Sequence, residues 1–159
     1  MTEFYIDRID WHFLGKGFPE NLPQENGGIH IGMYLAWIIN NDLIGEFHLE
    51  ESKDTIEAVR QRLISGNGFL INECDSKFCD EDLNDEGSAF TYYYYNYVDE
   101  GNVGMRQYIY DYAEMFIKEQ MSFYEVEDSW ENYDKIKAVI DERYRSWKVV
   151  KKIYDQYKS

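Results

Sequence analysis

The sequence predicts a mainly α fold, and three stretches carry the prediction. Ile31, Met33, Tyr34, Leu35, Ala36, Trp37, Ile38 and Ile39 point all the way round a helix, as in a buried central one. Tyr108, Ile109, Tyr112, Ala113, Phe116 and Ile117 recur at i, i+3, i+4 spacing after Met105, the mark of an amphipathic helix. Trp130, Tyr133, Ile136, Ile140, Tyr144, Trp147, Val150 and Tyr154 keep to one stripe for roughly seven turns. With 159 residues, one domain is expected over 1–159: a helical bundle of about five helices behind an irregular N-terminal arm.

Residues 1–23 form that arm. Phe4, Ile6, Ile9, Trp11 and Phe13 suit a short strand or an apolar irregular segment, and both prolines, Pro19 and Pro23, fall in an ordered loop after it. The central helix spans about Gly28 to Asn41, with Asn26 or Gly27 at its cap. A second helix covers about Lys53 to Ser65. Ser52 or Asp54 caps it, Ile56, Val59, Leu63 and Ile64 make its face, and Gly66 closes it. Phe69, Leu70 and Ile71 read as a short helical turn before an acidic loop. A third helix begins near Gly87–Ser88 and carries Phe90, Tyr92 to Tyr95 and Tyr97. After Gly101–Gly104 come a fourth, Met105–Gln120, and a last, Ser129–Tyr157, with Asp128 and Glu131 as a capping box.

The net charge of −15 disfavours nucleic acid and anionic membranes and favours a basic protein partner. The charge is uneven. Seven acids stand against Lys77 between Glu73 and Glu86, whereas six bases stand against Asp155 from Arg143 onward. No apolar run approaches the roughly 20 residues of a membrane span, and the N-terminus has no secretory pattern. The expected location is cytoplasmic, with Cys74 and Cys79 as free thiols, since a single C-x4-C pair is no disulfide framework.

Local motifs for chemistry are mostly absent from the sequence. His12, His30 and His48 lie on separate elements, and none pairs at i+3 or i+4, so no local zinc motif exists. The glycines at 27, 28 and 32 fit neither phosphate-loop spacing. Around Asp80 to Asp85, neither register gives a calcium loop, because Thr91 or Tyr93 stands where the bidentate Glu belongs. The serines lack a nucleophile elbow. No catalytic residue, cofactor or metal is therefore predicted. One corner remains: Trp11, His12, Glu25, Asn26 and His30 surround the start of the central helix, either as a polar ligand site or as a brace pinning the arm.

Trp11-His12, Phe18-Pro19-Glu20-Asn21-Leu22-Pro23-Gln24-Glu25-Asn26-Gly27-Gly28 and His30-Ile31-Gly32-Met33-Tyr34-Leu35-Ala36-Trp37 resemble the signature of a family of small acidic bacterial proteins of unknown function. The likeness continues through Glu73-Cys74-Asp75, Asp82 to Gly87 and Val126 to Tyr133. The resemblance implies a standalone bacterial protein and carries no activity. By size, charge and lack of catalytic motif it is similar to immunity proteins of toxin systems, an analogy only.

The expected function is thus non-enzymatic protein binding, most concretely inhibition of a basic toxin domain. Asp80, Glu81, Asp82, Asp85 and Glu86 would meet the partner's cations, and Tyr92, Tyr93 and Tyr95 would anchor it. The alternative is a small-ligand protein or enzyme built on the Trp11–His30 corner. The long C-terminal stripe also predicts self-association, most simply a homodimer.

Overall fold

A computed structural model describes residues 4–95, 98–99, 102–103 and 106–158. The fold is mainly helical, with eight α-helices among the described residues. The chain opens with strand β1 (Tyr5–Arg8), which runs directly into α1 (Ile9–Phe13). A 3-10 turn, Gln24–Gly28, leads into the central helix α2 (Ile29–Asn40). Next come α3 (Glu46–Glu51), α4 (Lys53–Arg60) and α5 (Gly66–Glu73), followed by strand β2 (Lys77–Cys79). Helix α6 (Asp85–Tyr94) precedes the two-residue strands β3 (Val98–Asp99) and β4 (Asn102–Val103). Helices α7 (Gln107–Phe116) and α8 (Trp130–Lys158) complete the chain.

Every residue of α2 from Ile29 to Ile39 is buried, which is what a helix apolar all round requires. Its closest neighbour is α5. A methyl group on Gly32 would lie 2.2 Å from the backbone nitrogen of Asn67, and one on Gly66 would lie 1.7 Å from the Gly32 carbonyl oxygen. The two backbones touch where neither residue has a side chain. On another side of α2, Tyr34 packs against Phe78, Tyr94, Tyr95 and Tyr108 at ring separations of 5.0–6.3 Å. Farther along, Trp37 meets Phe90 and Tyr144, and its Nε1–H donates to Asp141 at 2.8 Å. These offset and edge-on ring pairs add to the area each aromatic buries.

Helix α8 lays Tyr133, Ile136, Ile140 and Trp147 into this core. Its 29 residues span about 44 Å at 1.5 Å per residue. Beyond Trp147 the stripe stays exposed, Val150, Ile153, Tyr154 and Tyr157 included. No helix among the described residues is long and apolar enough to cross a membrane.

The five expected helices are present as α2, α4, α6, α7 and α8, and the differences lie at their edges. The arm is more regular than expected, because β1 pairs antiparallel with β2, with Asp7 opposite Phe78 and a bulge between Tyr5 and Asp7. The second helix stops at Arg60, leaving Leu63 72 % exposed. Gly66 starts α5 instead of closing α4, and Ser65 caps it by accepting from the Gly68 N–H. The Ser52 hydroxyl caps nothing; it is used in a side-chain network. Ser129, not Asp128, caps α8, accepting from the Asn132 N–H at 3.1 Å. Helix α6 starts two residues earlier than predicted because Asn84 caps it. Tyr97, Gly101, Gly104 and Met105 lie outside the described residues.

Candidate functional site

Folding brings the histidines onto two buried carboxylates. The first is Asp7, fully buried on β1. Its Oδ1 accepts from the Arg8 N–H at 2.9 Å and from His12 Nε2–H at 2.7 Å. Its Oδ2 accepts from His30 Nε2–H at 3.0 Å and from the Tyr95 hydroxyl at 2.5 Å, with Arg106 Nη1 at 3.5 Å. His12 and His30 sit edge to face, 4.5 Å apart, and His12 Nδ1 meets the Tyr124 hydroxyl at 2.6 Å. The Asp7 carboxylate only accepts, and the Tyr124 hydroxyl is free to donate to His12 Nδ1, so His12 and His30 both carry the proton on Nε2, toward Asp7.

Burial alone would raise the Asp7 pKa, but the hydrogen bonds from His12 and His30 outweigh it and hold the group ionised. Burial, with His12 and Arg106 nearby, pushes His30 down to about 4 against the pull of Asp7, so it is neutral at pH 7. Burial, with Asp7 adding to it, raises Tyr124 to about 12. Asp7 thereby ties β1 to α1, to α2, to the end of α6 and to the residue before α7.

The corner predicted around the start of α2 therefore comes together in part. His12 and His30 meet, and Asn26 donates to the Tyr124 carbonyl at 2.8 Å. Trp11 and Glu25 do not join them. Trp11 is 40 % exposed beside Arg8, and Glu25 is exposed, contributing its backbone carbonyl to the Asn67 amide. The arrangement is a clasp: both oxygens of the carboxylate are filled by the protein's own donors. Asp7, Arg106 and Tyr124 were in no predicted set, and Tyr95 was expected on the partner surface instead. The one sequence signal for Asp7 was an acid beside Ile6 and close to Ile9, in a segment that also carries Arg8 and Asp10.

The second carboxylate is Asp82, in the 3-10 turn after β2. His48 of α3 places Nε2 2.7 Å from Asp82 Oδ1 and 3.8 Å from Cys74 Sγ. Asp82 Oδ2 accepts from the Cys79 N–H at 2.8 Å. Behind the ring, His48 Nδ1 lies 3.0 Å from Ser52 Oγ. The Ser52 hydroxyl donates to Glu73 Oε2 at 3.1 Å, and the Thr55 hydroxyl donates to Glu73 Oε1 at 2.5 Å. Burial and the Asp82 carboxylate push the Cys74 thiol well up, keeping it protonated. The cluster opens on a surface cavity of about 340 Å³ lined by Tyr5, Phe47, Cys79 and Glu81 among others.

The predicted partner surface is divided. Asp82 and Tyr95 are buried and spent on His48 and Asp7, so neither faces a partner. Glu86 accepts from the Tyr144 hydroxyl, and Asp80 is half-buried against Phe4. Glu81, Asp85, Tyr92 and Tyr93 are exposed.

Fold and site together define a mainly α, strongly acidic protein whose short sheet and helices are joined through two buried histidine–carboxylate clusters. The chain belongs to the family described as Domain of unknown function (DUF7832), whose model matches residues 5–126. Both clusters lie inside that span, and α8 follows it. No curated protein and no solved structure matches the chain.

Proposed function

We propose that this protein is a non-enzymatic binding module for a basic protein, acting as an immunity-type inhibitor of a basic bacterial toxin domain. The observation that supports it is the outward face of α6. Asp85, Ala89, Tyr92 and Tyr93 are exposed along it, Tyr92 by 62 % and Tyr93 by 52 %. The exposed Glu81 stands in the turn just before. Asp85 and Tyr92 are about 10 Å apart along the helix at 1.5 Å per residue. Acids steer a basic partner in, and exposed tyrosines supply rigid anchors once it docks. The overall charge of −15 extends the steering field over the whole surface.

The test is capture from the native cytosol with the tagged protein, washed at low and then high salt. Wild type retains one basic protein at low salt and releases it at high salt. Y92A/Y93A loses that protein, and E81Q/D85N retains less of it. Retention of the same proteins by wild type and both variants contradicts the proposal.

A further inference from the structure

In the second histidine cluster a neutral ring on its own cannot satisfy both of its neighbours. Glu73 can only accept, so the Ser52 proton points at Glu73. The Ser52 oxygen is then the acceptor for His48, and the ring proton sits on Nδ1. That leaves the Nε2 lone pair aimed at the Asp82 carboxylate and the Cys74 sulfur. Lone pair against carboxylate is repulsive unless a cation lies between them: a second ring proton or a metal ion. A histidine whose far nitrogen donates to an oriented hydroxyl and carboxylate is how proteins set a ring for a metal.

The geometry points to a zinc-type metal site formed by His48 Nε2, Cys74 Sγ and Asp82 Oδ1, with its remaining position open to the surface cavity. The three atoms all lie within 4.8 Å of one another. Tetrahedral zinc places N and S ligands about 3.6 Å apart and N and O ligands about 3.4 Å apart. The Sγ–Nε2 distance of 3.8 Å already fits, and the Nε2–Oδ1 pair at 2.7 Å has to open by about 0.7 Å to reach the zinc spacing. Mixed nitrogen, sulfur and oxygen donors suit zinc better than calcium or magnesium, which prefer oxygen alone. On binding, the metal displaces the Cys74 proton to solvent and takes the thiolate as ligand. Cys79 is not part of the set, because its sulfur is not among the ligand atoms that come within 4.8 Å of one another.

The sister cluster of Asp7, His12 and His30 also brings three ligand atoms within 4.8 Å. It lacks the same opening, because the Tyr124 hydroxyl is free to donate to His12 Nδ1 whereas the Ser52 proton is committed to Glu73, so neutral His12 and His30 rings keep their protons on Nε2 toward Asp7. Metal discriminates between the two.

The experiment titrates Co²⁺, then Zn²⁺, into the reduced, chelator-stripped full chain. The expected result is one Co²⁺ per chain with a thiolate-to-cobalt charge-transfer band, bleached by Zn²⁺. C74S lacks the band and C79S keeps it. S52A keeps the band but binds zinc about 10–100-fold more weakly, as loss of an orienting partner does. Circular dichroism of each variant reports folding, and C79S and S52A keep the test decisive if C74S unfolds. No band in wild type, a band surviving in C74S, or a band lost in folded C79S overturns the assignment.

Discussion

Replacing Asp7 with Asn tests the clasp with almost no change of shape. The amide offers one acceptor where the carboxylate offers two. If its NH2 takes the place of Oδ2, it faces the donors of His30, Tyr95 and Arg106. If it takes the place of Oδ1, it faces the Arg8 N–H and His12. Either way two or more buried donors lose their acceptor, at about 1–3 kcal/mol each. Arg106 also loses its counter-charge, and breaking one side of a buried pair costs about 3–5 kcal/mol. These costs overlap, so D7N is expected to lose about 4 kcal/mol. At about 2–4 °C per kcal/mol for a chain of this size, that lowers the Tm by about 10 °C. Urea unfolding at pH 7, followed by tryptophan fluorescence, measures it. A D7N stability within about 1 kcal/mol of wild type refutes the clasp.

The same cluster sets a pH dependence. His30 is held down at about 4, below its ordinary 6.5. The unfolded chain therefore takes up a proton that the native state refuses. The contribution of His30 is fully present above pH 6.5 and shrinks as pH falls toward 4, at about 1.4 kcal/mol per pH unit. Between pH 6.5 and 5, ahead of the ordinary carboxylates, this amounts to about 2 kcal/mol. Asp7 acts in the same direction at lower pH, its contribution being full above the ordinary carboxylate range and lost below it. Urea titrations at pH 7, 6 and 5 should show the decline, and a flat profile contradicts a buried neutral His30.

Two further expectations concern the scaffold. G32A drives a methyl group to 2.2 Å from the Asn67 backbone, where no side chain can yield. We expect about 3 kcal/mol of destabilisation. G68A, whose added carbon meets nothing nearer than 3.7 Å, is the tolerated control, and equal stability of the two by urea unfolding refutes the close crossing. Truncation after Lys152 removes a segment whose described residues are all exposed. The Tm, followed by circular dichroism, should move by less than about 2 °C, and a larger loss shows that the tail is packed.

How much of this was legible in the sequence depends on the range of the interaction. Helix α2 announced itself because its apolar residues leave no polar side, and α8 because its stripe holds one phase from Trp130 to Trp147. The run Tyr92 to Tyr95 has no period of its own. Only the placement of α6 against Tyr34 and Tyr108 sorts Tyr94 and Tyr95 inward and leaves Tyr92 and Tyr93 outside. The β1–β2 pair was missed because four residues pair with three across about seventy positions, too short and too distant for a local pattern. The two clusters were hidden for the same reason. Asp7 and Asp82 are two acids among 31, and His48 reaches Cys74 and Asp82 only after α3 folds back against the turn that follows β2. A local zinc motif needs ligands three or four residues apart, whereas here they are 26 and 34 apart.

The two similar-looking clusters do different work, Asp7 as a saturated clasp and His48, in our proposal, as a metal ligand. With only three histidines in the chain, nitrogen NMR of the labelled protein reads all of them at once. The expected spectrum shows a neutral His30 protonated on Nε2 at pH 7, and a His48 Nε2 resonance that moves to a metal-bound position when one equivalent of Zn²⁺ is added, with His12 and His30 unmoved. A zinc-induced shift at His12 or His30, with His48 unchanged, contradicts it.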